Sequence, residues 1–380
     1  MASSIIGAKA RKAAPGTARS AARGAAPPQA RSPAPAAPAA SAEPSTAAPV
    51  TPAQVRQLTV DEGSAGQRLD NFLIRELKGA PKTLVYRIIR SGEVRINKGR
   101  CSADSRLDVG DVVRVPPVRL AEKPADQAAA VPAREFPIVF EDEHLIVVDK
   151  PAGVAVHGGS GVSFGVIEQL RRARPQAKFL ELVHRLDKET SGLLMIAKKR
   201  SALTHLQDQL RDRETGKTYA ALVSGMWSRS RKVVDVPLLK FVGSDGERWV
   251  RAVPDPKDPQ AEQAKRSISL VKVVEAYSGD SKGAAAAGYS LLDVTIKTGR
   301  THQIRVHLAH EGHAIVGDPK YGDFEANRLI ARGALRFDRM FLHARQLRVV
   351  HPATGEALTL EAPLPPECEK LLAALRRPAY

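Results

Sequence analysis

Two stretches in the first third of the chain repeat apolar residues at the spacing of a helix. The first runs over residues 69–77, and the second begins at Pro81, a residue that favours the first turn of a helix. Short alternating segments follow, separated by the turn signals Asn97-Lys98-Gly99 and residues 108–111. Residues 58–118 are therefore predicted to fold as a small α+β module. The apolar helix positions are Leu69, Phe72, Leu73, Leu77, Leu84, Val85, Ile88 and Ile89.

The chain from residue 136 to residue 370 is dominated by strand-like apolar segments. These segments greatly outnumber the helical patterns and do not alternate steadily with them, which favours an α+β mixed sheet over a doubly wound fold. Residues 278–288 separate two long strands and are predicted to form a hairpin loop. The predicted strands cover residues 138–140, 145–149, 192–198, 218–224, 267–277, 289–298 and 341–349, and the predicted helices cover 163–173, 201–213 and 301–311.

Residues 1–57 differ in composition from the rest of the chain. They are rich in Ala and Pro, and Glu43 is the only acidic residue among the first 50. Such a segment buries too little apolar surface to offset its ordering entropy, so a disordered basic tail is predicted. A bacterial extension is favoured over an organellar transit peptide, which stays the alternative. Residues 119–135, rich in Ala, Pro and charge, are predicted to be a linker.

The charge balance points to a polyanionic partner. Lys and Arg number 58 against 41 Asp and Glu, which gives a formal net charge of +17. This excess favours nucleic acid over an anionic membrane surface, and no apolar run approaches the about 20 residues that span a bilayer. Two cysteines cannot build a disulfide framework or a cysteine-ligated zinc site. No heptad or exposed apolar stripe is evident, so a monomer is expected.

A polar turn at residues 184–191 separates two apolar segments. A carboxylate in such a turn, Asp187, is held rigidly while its head group faces a cleft. His184 and Arg185 can supply positive charge beside it, and Thr190 and Ser191 can donate hydrogen bonds. Composition alone favours an ordinary charged surface turn, which stays open as the alternative.

Two further segments carry candidate chemistry. Tyr219 lies in an apolar strand, where a half-buried aromatic is the commonest role. At residues 298–313, Thr301 is predicted to cap a helix, and Arg300 and Arg305 crowd its first turn, which suits a phosphate or a buried carboxylate. The four histidines of this segment lack the H-E-x-x-H spacing, so no metal site is predicted.

Basic residues cluster on and just after the two predicted helices of the N-terminal module. They form either a solvated charged surface or a face that grips phosphates. The module resembles an S4 RNA-binding domain in the order and spacing of Arg68-Leu-Asp70, Ser91-Gly-Glu-Val94 and Val109-Gly-Asp111. The candidate RNA contacts on it are Arg68, Lys82, Arg87 and Arg90.

The three polar segments together resemble the ribosomal large-subunit pseudouridine synthase family. The motif His184-Arg-Leu-Asp187-x-x-Thr-Ser-Gly192 is the family's hallmark, and Tyr219 falls on its second motif. The third motif is matched by Gly299-Arg-Thr-His-Gln-Ile-Arg305 and Gly317-Asp-Pro-Lys-Tyr321. The resemblance implies isomerisation of uridine to pseudouridine in RNA. It is strongest to a branch that modifies several uridines of 23S ribosomal RNA.

The family pattern also implies roles for individual residues. Asp187 would be the essential carboxylate, which either deprotonates C2′ or attacks C1′ of the ribose. Arg305 would pair with Asp187, Tyr219 would pack on the uracil and remove its C5 proton, and Leu342 would form an apolar wall. Arg305→Ala is expected to lower activity steeply with little loss of stability. The residues expected to hold the RNA backbone or the turn itself are His184, Arg185 and Arg300.

These inferences combine into one expectation. The chain is expected to be a bacterial cytoplasmic enzyme in which an N-terminal S4-like module is joined to a mixed-sheet catalytic domain. Its expected partner is 23S rRNA or the large-subunit precursor, with no membrane involved, and the isomerisation requires neither metal nor cofactor. The alternatives are a non-catalytic RNA-binding assembly factor, a synthase acting on tRNA, and a metal-dependent RNA hydrolase.

Overall fold

A computed structural model describes residues 54–77, 79–118, 131–159, 164–244, 246–278, 288–333 and 336–376. The predicted tail up to residue 53, most of the predicted linker and the tip of the 278–288 loop lie outside these ranges. Within them, no helix is both long enough and apolar enough to cross a membrane.

The N-terminal module packs two helices against a small antiparallel sheet. Its elements are β1 Arg56–Thr59, α1 Leu69–Glu76, α2 Lys82–Arg90, β2 Arg95–Ile96 and β3 Val112–Val115. The strands lie in the order β1-β3-β2, and the apolar faces of both helices are buried against them. Strand β1, which was not predicted, begins at Arg56, where Arg56 and Gln57 pair with Val115 and Arg114.

The predicted turn after β2 takes a tight left-handed form. Asn97 and Lys98 have φ of 50° and 69°, and the N–H of Gly99 donates to the carbonyl of Ile96 at 2.8 Å. These features are typical of a type I′ hairpin turn, in which Asn is favoured because it tolerates positive φ. The turn chemistry read from the sequence therefore fixes the register between β2 and the chain that follows it.

The larger region is built on one mixed sheet. Its strands and those of a separate hairpin are β4 Ile138–Glu141, β5 Leu145–Lys150, β6 Glu181–Leu182, β7 Ser191–Ala197, β8 Gly216–Ser224, β9 Val233–Asp235, β10 Leu238–Val242, β11 Arg248–Ala252, β12 Ile268–Tyr277, β13 Tyr289–Ile296, β14 Leu342–Val350 and β15 Ala357–Glu361. Among the described residues the sheet has ten strands, in the order β4-β5-β7-β14-β8-β13-β12-β9, with β6 paired to β7 and β15 paired to β14. The pair β7–β14 is parallel and the other pairs are antiparallel.

Helices cover both faces of this sheet. The helices of the region are α3 Val166–Ala173, α4 Arg200–Asp212, α5 Gln303–His310, α6 Phe324–Arg332 and α7 Pro366–Leu375. Leu194 and Ile196 of β7 share a core with α3 and α5, whereas Leu193 and Met195 share a core with α4. Because both of its faces are covered, β7 reads as an uninterrupted apolar run instead of an alternating one.

The cap predicted for α5 is wrong. The helix begins at Gln303, and the residue before it, His302, has a left-handed φ of 52°. Gln303 itself closes the turn, because its Oε1 accepts hydrogen bonds from Thr298 Oγ1 at 2.7 Å and from the N–H of Arg300 at 3.1 Å. Thr301 is thus a turn residue and not the N-cap.

The other predicted elements are present within a few residues of their expected bounds, and several short ones were not predicted. The unpredicted elements are β1, β6, β9, β10, β11, β15, α6 and α7. Strands β12 and β13 pair directly up to Tyr277 and Tyr289, as expected for a hairpin around residues 278–288. The boundaries proposed for the domains and the linker stay predictions.

Strands β7 and β14 approach each other closely at Gly192. This residue has φ of 104°, and a Cβ atom placed on it would lie 2.3 Å from the carbonyl oxygen of Ala344. Glycine alone satisfies both conditions. The contact fixes the end of the 184–191 turn against β14, the strand that also carries Leu342.

Candidate active site

A cavity of about 810 Å³ lies where the 184–191 turn, the start of β8 and the loop before α5 meet. Its volume is in the range of pockets that enclose a small ligand, about 300–1,000 Å³. The cavity brings together every site residue that the sequence predicted in this region. These residues are His184, Arg185, Asp187, Tyr219, Arg300, Arg305 and Leu342.

Asp187 and Arg305 form an ion pair in this cavity. Nη1 of Arg305 donates to Oδ2 of Asp187 at 3.1 Å, which is the pairing that the family pattern implied. The Asp187 side chain is 28% exposed, whereas that of Arg305 is 6% exposed. The carboxylate is therefore accessible from the cavity while its cationic partner is fixed in the protein interior.

Arg305 is held from behind by a second carboxylate, Asp318. Nε and Nη2 of Arg305 donate to the two oxygens of Asp318 at 2.8 and 2.7 Å. Burial alone would raise the pKa of Asp318, yet the hydrogen bonds and the charge of Arg305 together lower it. Asp318 lies in the Gly-Asp-Pro segment of the third motif, and its position behind Arg305 was not predicted.

The turn that carries Asp187 is held by a buried lysine that was not among the predicted site residues. Lys150, at the end of β5, is fully buried, and its Nζ donates to the carbonyls of Pro151, Val154 and Lys188 at 2.9, 2.8 and 3.1 Å. Burial lowers its pKa to about 7. Its contact with Lys188 ties the residue after Asp187 to the loop that follows β5.

Tyr219 and Leu342 form the apolar side of the cavity. They lie on the neighbouring strands β8 and β14 and are 7% and 3% exposed. Burial, together with the negative charge of Asp187, raises the pKa of the Tyr219 phenol above its ordinary value. The phenol therefore holds its proton more tightly than that of an exposed tyrosine.

His184 does not supply positive charge, contrary to one expectation. Burial and the nearby charge of Lys217 lower its pKa to about 3, so the imidazole is neutral. Its Nε2 accepts the N–H of Met195 at 3.1 Å, which holds the turn against β7. The hydroxyl of Ser191 also has a structural contact, because it hydrogen-bonds Nδ1 of His343 at 2.9 Å and does not reach Asp187.

Five cations line the cavity without a carboxylate partner among the described residues; these are Arg185, Arg213, Lys217, Lys297 and Arg300. Arg185 and Arg300 are exposed, and Nε of Arg300 makes only a long contact of 3.4 Å with the carbonyl of Arg266. Lys217, at the start of β8, is largely buried, and burial lowers its pKa. These side chains make the cavity rim suitable for phosphate groups.

His302 is the second group that faces Asp187. Its Nε2 lies 3.9 Å from Oδ2 of Asp187, and its Nδ1 lies 2.8 Å from Oη of Tyr321. The Tyr321 ring also packs under the guanidinium of Arg305, whose Cζ is 5.1 Å from the ring centroid. Both His302 and Tyr321 belong to the third motif, but no role was predicted for either.

The remaining histidines of the third motif point to different partners. The ring nitrogens of His307 hydrogen-bond Ser269 Oγ and the carbonyl of Val236, and Nδ1 of His313 hydrogen-bonds the carbonyl of Ser224. His310 is exposed. In the part of the chain that the structure describes, no group of three or more histidines, cysteines or carboxylates could hold a metal ion.

The cations of the N-terminal module fall into two groups. Arg68 pairs with Asp70 at 2.8 Å, and Asp70 also accepts a hydrogen bond from the Tyr86 hydroxyl at 3.1 Å. Arg68 is therefore committed to an intramolecular contact. In contrast, the candidates on α2 are exposed and form no ion pair within the described ranges; these are Lys82, Arg87 and Arg90.

Comparisons with known proteins agree on one family. The RNA pseudouridylate synthase family matches residues 144–310, and the S4 domain matches residues 67–113. Ribosomal large subunit pseudouridine synthase C of Pasteurella multocida is 50% identical over 326 residues, which cover 85% of this chain and 94% of that protein. The protein of the same name from Escherichia coli strain K12 is 47% identical over 323 residues, 84% of this chain and 95% of its own.

A solved structure supports the same assignment. Human RNA pseudouridylate synthase domain containing 4 superposes with a TM-score of 0.50 at 27% identity, covering 63% of this chain and 93% of its own. Together the matches confirm the predicted α+β fold class, an S4 domain followed by a mixed-sheet synthase domain. The chain, an RNA pseudouridine synthase, therefore belongs to the ribosomal large-subunit pseudouridine synthase family.

Proposed function

We propose that this protein isomerises specific uridines of 23S ribosomal RNA to pseudouridine, in the bacterial cytoplasm where large subunits are assembled. The observation that carries the proposal is the Asp187–Arg305 pair beside Tyr219 in a cavity rimmed by cations. Bacterial relatives named for the large ribosomal subunit support that choice of substrate. A non-catalytic assembly factor would have no need of an accessible carboxylate with a buried cationic partner.

The substrate uridine has to leave its base stack to reach Asp187. Unstacking costs a few kcal/mol, least where the base is already unpaired. Arg185 and Arg300 at the rim are placed to hold the flanking phosphates, and Tyr219 and Leu342 offer apolar surface to the uracil. Binding of this kind positions C1′ and C2′ of the ribose near Asp187.

Asp187 then starts the bond exchange. In one route the carboxylate attacks C1′, the N1–C1′ bond breaks, and the uracil leaves as an anion. In the other route the carboxylate removes the C2′ proton and the same N1–C1′ bond breaks. The uracil turns and C5 joins C1′; in the first route this displaces the Asp187 carboxylate from C1′, and in the second the proton held by Asp187 returns to C2′. C5 then loses its proton while N1 gains one, so the product is an isomer of the substrate. Arg305 donates to Asp187 throughout, and Asp318 keeps Arg305 in place. The protonated Tyr219 packs on the uracil during the turn; it can take the C5 proton only after its own is lost.

The S4 domain binds the RNA backbone without reading the nucleotide sequence. Lys82, Arg87 and Arg90 project from α2, where each can displace a counterion from the RNA backbone. We infer that these contacts bring the catalytic cavity to the ribosomal RNA. The cavity and the shape of the RNA then determine which uridine is modified.

The proposal is tested by mapping pseudouridines with carbodiimide-stop sequencing in 23S rRNA from cells with and without the gene. Stops are expected to vanish without the gene and to return with purified wild-type protein but not with Asp187→Asn. The matched control is Asp338→Asn, an exposed carboxylate outside the cavity, which should restore them fully. If the 23S stops do not depend on the gene but stops in tRNA do, the tRNA alternative is favoured. If no stop in either RNA depends on the gene, the assembly factor is favoured.

A further inference from the structure

His302 is held in an unusual backbone conformation beside Asp187. It has φ of 52° and ψ of 21°, a left-handed geometry that few residues other than glycine adopt, although histidine, asparagine and aspartate do so more often than the rest. The Gln303 side chain stabilises this turn through Thr298 and the N–H of Arg300. Local strain that is maintained by neighbouring contacts is a feature of ligand-contacting positions.

The tautomer of His302 follows from its neighbours. Oη of Tyr321 accepts the N–H of Val250 at 3.1 Å, which leaves the phenol hydrogen free to be donated to Nδ1 of His302 at 2.8 Å. Burial lowers the pKa of His302, so the ring is neutral and carries one N–H. With Nδ1 as the acceptor, that N–H is on Nε2, the atom that faces Asp187.

The gap between the two groups has the dimensions of a bridging hydroxyl. Nε2 of His302 is 3.9 Å from Oδ2 of Asp187, too long for a direct hydrogen bond. An oxygen about 2.8 Å from each atom fits between them, because twice that distance exceeds the separation. The bridging group must accept from Nε2–H and donate to Oδ2, and a hydroxyl does both.

Within an RNA strand, the 3′ and 5′ oxygens are esterified to phosphate, so the 2′-hydroxyl is the one free hydroxyl of an internal nucleotide. We propose that His302 and Asp187 together bind the ribose 2′-hydroxyl of the target uridine and so select ribose over deoxyribose. The inference rests on the proposed function, because it requires a uridine in this cavity. Oδ1 of Asp187 accepts no hydrogen bond from a described residue and is left free to react at C1′ or C2′.

The test is a double-mutant binding cycle in which the 2′-hydroxyl of the RNA and the imidazole of His302 are removed separately and together. A 23S rRNA fragment that the wild-type protein modifies is synthesised with uridine or 2′-deoxyuridine at the target position. Its Kd is measured for full-length protein in a Tyr219→Phe background, with and without His302→Asn. Asn is favoured in the left-handed region, so this change removes the imidazole without straining the backbone, and its side chain is too short to reach the hydroxyl.

With His302 present, deoxyuridine should weaken binding about tenfold, the combined effect of losing the hydrogen bonds to His302 and to Asp187. With His302→Asn, the penalty should fall to about threefold or less, since only the Asp187 contact is left. Tyr321→Phe, which removes the group that sets the tautomer, should also reduce the penalty while keeping the ring. The control is His310→Asn at the exposed last residue of α5, which should keep the full penalty.

If the deoxyuridine penalty of both the His302→Asn and the Tyr321→Phe proteins stays within twofold of the background protein's penalty, the inference is overturned and the proposed function still stands. The absence of any penalty in the background protein would do the same. If the wild-type protein modifies no 23S fragment, the proposed function fails and the inference falls with it. Should His302→Asn not fold, the Tyr321→Phe comparison alone decides.

Discussion

Asp318 accepts two hydrogen bonds from the guanidinium of Arg305, at 2.8 and 2.7 Å, and its own side chain is only 1% exposed. Removing one member of such a pair leaves an uncompensated charge in the protein interior. This geometry changes the expectation for Arg305, which the sequence alone treated as dispensable for stability.

Arg305→Ala should therefore destabilise the protein as well as inactivate it. The expected loss is about 3 kcal/mol in the free energy of unfolding, because the Asp318 carboxylate loses its only cationic partner in the described structure. Urea denaturation followed by circular dichroism measures this loss. An unchanged unfolding midpoint would show that Asp318 is solvated or protonated at little cost.

Asp187→Asn should separate activity from stability. Asp187 makes one hydrogen bond to Arg305 and is partly exposed, so its neutral isostere should cost less than about 1 kcal/mol while abolishing pseudouridine formation. Asp318→Asn, at the other end of the same arginine, should lower both activity and stability. The two variants are compared by single-turnover pseudouridine assays and by thermal unfolding. Equal destabilisation by both would contradict the different burial of the two carboxylates.

His184 should make stability depend on pH below neutrality. Its pKa is about 3 in the folded protein against about 6.5 in the unfolded chain, so the unfolded state binds more protons between these values. The stabilisation is complete above pH 6.5 and is lost progressively as the pH falls toward 3. From pH 8 to pH 5 the loss from this group is about 2 kcal/mol.

His184→Gln tests this linkage, because glutamine keeps an acceptor for the N–H of Met195 but does not titrate. Its stability should vary less between pH 8 and pH 5 than that of the wild type. Exposed His310→Gln serves as the control and should leave the wild-type pH dependence intact. Parallel curves for wild type and His184→Gln would mean that His184 is solvated.

The α2 cations should carry part of the salt dependence of RNA binding. Replacing Lys82, Arg87 and Arg90 with glutamine should flatten the slope of log K against log salt by about 2 to 3, since each phosphate contact contributes about 0.7–0.9. Arg68→Gln is the contrast, because this arginine is already paired with Asp70 and should change the slope little. Filter binding to 23S rRNA at several salt concentrations gives the slopes. Deleting residues 1–118 should act in the same direction while the sheet domain stays folded.

The sequence predicted the elements whose burial leaves a clear pattern. Strand β7 is apolar throughout because both of its faces are covered, and α2 shows an apolar stripe because one of its faces is. Strands β9 and β10 were missed because they are short and carry exposed apolar residues, such as Val233 at 49% and Val242 at 66%. Their pattern does not separate a buried face from a solvated one.

The site was predictable as a set of residues but not as an arrangement. The motifs identified Asp187, Tyr219 and Arg305, whose types are tied to the chemistry. Charge states and supporting contacts depend on tertiary packing, so the neutral His184 and the anchoring Asp318 could not be inferred from spacing. Thr301 fits the composition of a helix cap, yet Gln303 closes that turn through long-range contacts with β12, including the carbonyl of Ile268 at 2.9 Å.

Strand β14 lies between β7 and β8 and is the only link in the described sheet between the strand that follows Asp187 and the strand that carries Tyr219. It is formed by Leu342–Val350, so it leaves the ribosome after nearly all of the other elements have been synthesised. Until then, the two halves of the cavity belong to unconnected sets of strands, whereas the S4 domain has had time to fold, as N-terminal domains do during translation. The order of synthesis therefore gives the nascent protein a folded RNA-binding domain before its active site is complete.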